Sequence, residues 1–208
     1  MSGHQYKSSL DGKVYELAED LQIGGEFDAA FRDNGCETDR LFLTDKMLTY
    51  AQTEEKIMSA DIIYAGGGDL GFLTKTWRET GADKLLKKAY EKGAVLSGYS
   101  SGAMCWFNSG YDDCGKDHAF IFLDCLSLLP FCNCPHFESD SWQSFAERIK
   151  ERGEHGIAIE DGAALIYDGS EFRCVSGNEG GDVYFFDKND SYRQIKITDN
   201  PNILKKYM

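Results

Sequence analysis

The run Gly98-Tyr99-Ser100-Ser101-Gly102 has the types and spacing of a nucleophile elbow. A Gly-x-Ser-x-Gly turn between a buried strand and a helix is so tight that a side chain two residues either side of the nucleophile would meet backbone. That steric need separates the adjacent serines. Ser100 is flanked by Gly98 and Gly102, Ser101 by Tyr99 and Ala103, so Ser100 is the candidate nucleophile. A helix starting there points backbone N–H groups at the serine, which favours negative charge.

A serine hydroxyl needs a positioned base. Of four histidines, His4 lies in the loosely patterned start and His118 in a charged stretch, while His155 abuts a strand. His136 ends an apolar run and precedes a helix, the place for a base at the mouth of a sheet; a satisfied structural histidine is the bland alternative. The base in turn needs an acid to hold its tautomer. Cys132-Asn133-Cys134-Pro135-His136 could set two thiols and an imidazole on one strand face, but paired zinc cysteines usually stand two residues apart and need a second ligand pair. No metal or other cofactor is expected. Seven scattered cysteines read as reduced thiols.

The elements that must carry these groups alternate. Thr38 to Leu43 reads as a strand, followed by a helix near Thr53 to Ser59. Asp61 to Ala65 is a short apolar strand stopped by Gly66-Gly67-Gly68, after which Asp69 can cap a helix through about Glu79. A helix over Lys84 to Lys92 ends at Gly93, and Ala94 to Ser97 is a strand running into Ser100. Ser139 to Arg152 reads as one amphipathic helix with Trp142, Phe145 and Ile149 on a face. Beyond it, Gly156 to Ile159, Ala163 to Tyr167, Phe172 to Val175, Val183 to Phe186 and Gln194 to Ile197 look like antiparallel strands added at one edge. Val14 to Ala18 is a poor first strand or a helix start.

Four segments together resemble the peptidase E family. Ser59 through Asp69 is similar to its apolar strand and Gly-Gly-Gly-Asn turn, and Gly93 through Ala103 to its Gly-x-Ser-Ala-Gly-Ala elbow. Cys134-Pro135-His136-Phe137 resembles its Asn-Pro-His segment, and Gly156 to Leu165 its Gly-Ile-x-x-x-Glu-x-x-Ala-Leu stretch. The resemblance implies an α/β three-layer sandwich, flavodoxin-like and related to class I glutamine amidotransferases, with a mostly parallel central sheet and antiparallel strands toward the C-terminus. It implies a serine peptidase acting on short peptides, with Ser100 as nucleophile, His136 as base and Asp161 as acid. Glu160 is the alternative acid, and Asp112 and Asp113 are third choices. The implied oxyanion hole is the backbone N–H of Ser101 and of Gly67 or Gly68. The chain order Ser, His, acid fits this family and not an α/β-hydrolase.

Departures from the family pattern are also legible. Ser101 stands for alanine and Asp69 for asparagine, putting a carboxylate at the substrate side that could repel an acidic substrate or hold a free α-amino group. Phe145 falls where a basic residue for aspartyl specificity is sought, and Leu17-Ala18-Glu19-Asp20 replaces an apolar first strand.

The bulk properties bound the rest. At 208 residues a single α/β domain, 1–208, is expected. A net charge of −13, spread along the chain, repels phosphate backbones. Nucleic-acid binding is therefore not expected. The longest apolar runs, such as Ile62 to Ala65 and Ala119 to Leu123, are too short to span a bilayer, and no export signal is evident, so a cytoplasmic enzyme without a membrane partner is expected. Two alternatives to a peptidase stand beside it. A glutamine amidotransferase-like enzyme would want cysteine at the elbow, and Cys105 lies too far along to serve. A non-catalytic binding protein on the same fold is the other.

Overall fold

The computed structural model describes residues 27–178 and 180–208. The segments Val14 to Ala18 and Leu17 to Asp20 lie outside the described residues. The chain divides into two compact units after Ala103.

In the N-terminal unit, residues 27–33 are helical (α1), and α2 (Tyr50–Ser59) opens with a capping box. There the Gln52 N–H donates to Thr49 Oγ1 at 3.3 Å and the Thr49 N–H to Gln52 Oε1 at 2.9 Å. Two free helix-start donors are thereby satisfied. Strand β1 (Ile62–Ala65) pairs in parallel with β2 (Val95–Gly98), Ile62 opposite Val95 and Ala65 opposite Gly98. The crossover between them is α3 (Leu70–Thr80) and α4 (Ala82–Glu91), separated by Gly81 at φ +76°, a left-handed position that favours glycine. Leu70, Leu73, Trp77, Leu85 and Leu86 are buried, the i, i+3, i+7 stripe of α3 closing on the inner face of α4.

Thr38 to Leu43 is not a strand. Leu41 and Leu43 are buried as alternation requires, but the Arg40 carbonyl accepts from Lys56 Nζ at 2.9 Å and its guanidinium pairs with Asp28. Side-chain partners have taken the place of a ladder.

After the short α5 (Ser101–Met104) the chain enters the C-terminal unit, which holds a six-stranded sheet. Its strands are β3 (Phe107–Asp112), β4 (Ile121–Asp124), β5 (Leu129–Cys134), β6 (Gly156–Ile159), β9 (Val183–Asp187) and β10 (Arg193–Lys196). Their order is β10-β9-β6-β5-β3-β4, with β3, β5 and β6 parallel and β4, β9 and β10 antiparallel. Of the antiparallel C-terminal strands expected at one edge, β9 and β10 are there, whereas Ala163–Tyr167 and Phe172–Ser176 pair with each other in a separate two-stranded sheet. Gly156 to Ile159 is a correction: it is the junction, parallel to β5 on one side and antiparallel to β9 on the other.

Alternation along these strands builds two cores. Phe131, Ile157 and Phe185 face one way, with Phe172 of the hairpin β7 (Ala163–Tyr167) and β8 (Phe172–Ser176) and Leu204 of the C-terminal 3-10 helix packed over them. Cys132, Cys134, Ala158 and Phe186 face the other, under Phe145 and Ile149 of α6 (Phe145–Arg152). The amphipathic segment expected over Ser139 to Arg152 is helical only from Trp142, first as a 3-10 turn to Ser144 and then as α6. Phe145 is fully buried, and trimming such a ring to alanine costs about 3–5 kcal/mol.

Candidate active site

The elbow is as tight as its glycines suggest. Ser100 has φ +55°, a left-handed conformation uncommon outside glycine. A Cβ on Gly98 would fall 2.1 Å from the Gly102 carbonyl oxygen, and one on Gly102 would fall 2.0 Å from that of Ala65. Backbone packs against backbone at both positions, so no rotamer could relieve either clash. The turn is held by the Gly102 N–H on the Tyr99 carbonyl at 2.9 Å and the Ala103 N–H on that of Ser100 at 2.8 Å. The helix after it is a single turn, Ser101–Met104. The N–H groups that a helix start points at the serine are thus those of one short turn.

The Gly66-Gly67-Gly68 loop passes close to the nucleophile. A Cβ on Gly67 would stand 3.2 Å from Ser100 Cβ. Ser101 donates its hydroxyl to the Gly68 carbonyl at 2.6 Å, which gives the serine that replaces the family's alanine a structural use: it staples elbow to loop. Asp69 is spent partly on the helix, accepting the Phe72 N–H at 2.7 Å as the N-cap of α3.

His136 is aimed by a break in the β5–β6 ladder. The ladder runs to Cys134 opposite Ala158, and Pro135 then has no N–H to continue it. The Phe137 N–H takes up the Ile159 carbonyl at 3.2 Å, with His136 between in a left-handed kink at φ +54°. Its side chain is 18% exposed and meets Trp142 edge-on at 5.2 Å.

Asp161 occupies the second position of a turn in which the Ala163 N–H bonds the Glu160 carbonyl at 3.2 Å and Gly162 has φ +78°, the positive value that such turns assign to glycine. There its Oδ1 lies 2.7 Å from His136 Nδ1. A carboxylate only accepts, so Nδ1 carries the proton of this bond. Glu160, one residue away, points elsewhere: its Oε2 accepts the Asp182 N–H at 2.9 Å and its Oε1 the Tyr184 hydroxyl at 3.2 Å. Asp112 ends β3, buried, and Asp113 follows it.

Ser100, Ser101, Gly67, Gly68 and Asp69 thus belong to the N-terminal unit, and His136, Asp161, Glu160 and Asp112 to the C-terminal one. Glu138 escaped the reading of the sequence. It accepts the Asp161 backbone N–H at 2.8 Å, and its only sequence signal is a carboxylate two residues after the candidate base.

Three buried thiols are poor nucleophiles by comparison. Burial pushes Cys132 up to about 12 and Cys105 and Cys134 well above the ordinary thiol range. Thiolates, which a metal or an acyl-transfer reaction would need, are thereby disfavoured. Among the described residues one metal-capable group occurs, His136, Glu138 and Asp161, with ligand atoms within 4.8 Å of one another. Each is already engaged in the hydrogen bonds given above.

The fold and this elbow define an α/β protein with a strand-turn-helix serine site. Residues 17–175 match the model of peptidase family S51, and the chain belongs to that family, the peptidase E family. It is 35% identical over 132 residues to the uncharacterized peptidase YgaJ of Bacillus subtilis (strain 168), covering 62% of this chain and 56% of that protein. The chain spans about half the length of the curated relatives it matches first. In fold it is similar to the crystal structure of a protein assigned to peptidase E from Listeria monocytogenes EGD-e, with a TM-score of 0.61 and 21% identity over 80% of this chain and 82% of that one. A peptidase from an acI-B1 actinobacterium gives a TM-score of 0.62 at 19% identity, over 88% of this chain and 76% of its own. Among the described residues no helix is long and apolar enough to cross a membrane.

Proposed function

We propose that the protein is a serine peptidase of short peptides, its two units acting as one hydrolytic domain in the cytoplasm. The observation that carries this reading is the Ser100 elbow, a left-handed serine between two glycines that no other residue could replace. The His136–Asp161 contact supports it, as does membership of a peptidase family.

In this mechanism Ser100 Oγ attacks the scissile carbonyl while His136 Nε2 takes its proton. Asp161 holds Nδ1–H and offsets the charge of the imidazolium. The oxyanion is met by the N–H of Ser101 and of Gly67 or Gly68, whose backbone passes the nucleophile closely. His136 then gives its proton to the leaving amine, and water repeats the sequence to release the acyl group. The Asp69 oxygen not used in capping is the candidate partner for a substrate's free α-amino group.

The test is covalent labelling with a fluorophosphonate followed by mapping of the modified residue. Label on Ser100 alone is expected; no label on a folded protein would turn the reading toward a binding protein.

A further inference from the structure

We propose that Glu138 is a positioning residue that locks Asp161 onto His136, a role that rests on the peptidase reading above. Two contacts join the same two segments in opposite senses. His136 Nδ1 donates to the Asp161 carboxylate at 2.7 Å, and the Asp161 backbone N–H donates to Glu138 Oε2 at 2.8 Å. Only Phe137 stands between the two partners, and it is fixed: its ring is buried against Tyr184 and Phe186, and its N–H is bonded to the Ile159 carbonyl. The result is a small closed ring of bonds, with residues 136–138 on one side and Asp161 on the other.

Asp161 needs such an anchor. Its side chain is 51% exposed and rides on a four-residue turn, so neither packing nor burial selects the rotamer that meets the imidazole, and water competes for its oxygens. A carboxylate gripping the backbone N–H is a charge-assisted bond, stronger than a neutral one, and it fixes the Cα from which that rotamer departs. Glu138 acts through Asp161.

The experiment reads the His136–Asp161 bond directly. In proton NMR of the full chain, the wild type should show a downfield imidazole N–H resonance, assigned by its loss in Asp161→Asn. Glu138→Ala should broaden or lose that resonance while lowering kcat on a short peptide by on the order of ten- to a hundredfold, the scale of a slightly misplaced catalytic group. KM should stay nearly constant. Glu138→Gln keeps an acceptor oxygen at the same reach and should retain the resonance, and kcat to within a fewfold, the share that the carboxylate's charge adds to the bond. Glu138→Asp keeps the charge but is one methylene too short, and should behave like alanine. A resonance and kcat unchanged in Glu138→Ala would overturn the proposal. So would loss in Glu138→Gln with retention in Glu138→Asp, which would make charge rather than the bond the operative feature. A wild type without hydrolytic activity would sink the peptidase reading, and the resonance would still decide the role of Glu138.

Discussion

Asp161 Oδ1 and His136 Nδ1 stand 2.7 Å apart, while the adjacent Glu160 spends both carboxylate oxygens on Asp182 and Tyr184. The two neighbours therefore have separate uses, and their substitutions should separate. Asp161→Asn should lower turnover by about 10⁴, the cost of the wrong imidazole tautomer in related triads. Glu160→Gln, Asp112→Asn and Asp113→Asn should cost far less. Steady-state kinetics on a short peptide decides it, and a larger loss in Glu160→Gln or Asp112→Asn would move the acid there.

Ser100→Ala should abolish fluorophosphonate labelling and lower hydrolysis by several orders of magnitude, as removal of a triad nucleophile does. Ser101→Ala should leave both within about tenfold, since alanine keeps the backbone N–H needed for the oxyanion. It should still lose a little thermal stability with the staple to Gly68. Labelling that survives the first change and vanishes in the second reverses the assignment.

Gly98→Ala and Gly102→Ala each add a Cβ 2.1 Å or less from backbone oxygen. No side chain can move aside, so each should cost at least the about 1–3 kcal/mol typical of overpacking and remove activity with it. Gly169→Ala is the control, because nothing stands within 4 Å of its added Cβ, although its φ of +91° makes it mildly strained. Thermal melts compare the three, and an elbow variant as stable as the control would refute the close packing.

Stability should fall as pH drops below the ordinary histidine value of about 6.5. His155 is buried, with its Nδ1 accepting the Lys188 N–H at 3.2 Å. Burial lowers its pKa, and Lys188 and Lys206 act in the same direction against the opposing Asp187 carboxylate. The unfolded chain therefore binds the proton first, and stability is lost from the unfolded pKa down to the folded one. Asp187 cannot cause this loss: although burial works to raise it, the Tyr207 hydroxyl and the Asn189 N–H hold it below the usual carboxylate range. Denaturant melts between pH 8 and pH 5 should show the slope, reduced in His155→Asn, and an equal slope in that variant would assign it to another group.

Di- to tetrapeptides should be turned over and intact casein left alone. Mass spectrometry of both reactions checks this, and efficient casein degradation would remove the short-peptide reading.

The elbow, the helix caps and the C-terminal strands were legible in the sequence because their causes are local. Gly98 and Gly102 are required by the turn they belong to, Asp69 caps the helix that begins beside it, and alternation marks Ile157 against Ala158 wherever the strand is placed. The strand expected over Thr38 to Leu43 failed because its burial pattern is correct while the Arg40 carbonyl is taken by the distant Lys56 side chain and the Arg40 guanidinium by Asp28. β3 and β5 carry mixed residues whose strand character comes from pairing across more than twenty positions of chain. The choice between Glu160 and Asp161 could not be read locally either. It depends on how the Gly162 turn folds, and that turn is fixed from outside: a Cβ on Gly181 would fall 2.4 Å from the Asp161 carbonyl oxygen, and the Gly177 N–H bonds that of Gly162 at 2.7 Å. Glu138 was hidden for the same reason, since its partner lies 23 residues away. The sequence by itself determined what each turn permits. Only the tertiary structure decided which carboxylate meets the imidazole, because that choice is made by contacts between segments remote along the chain.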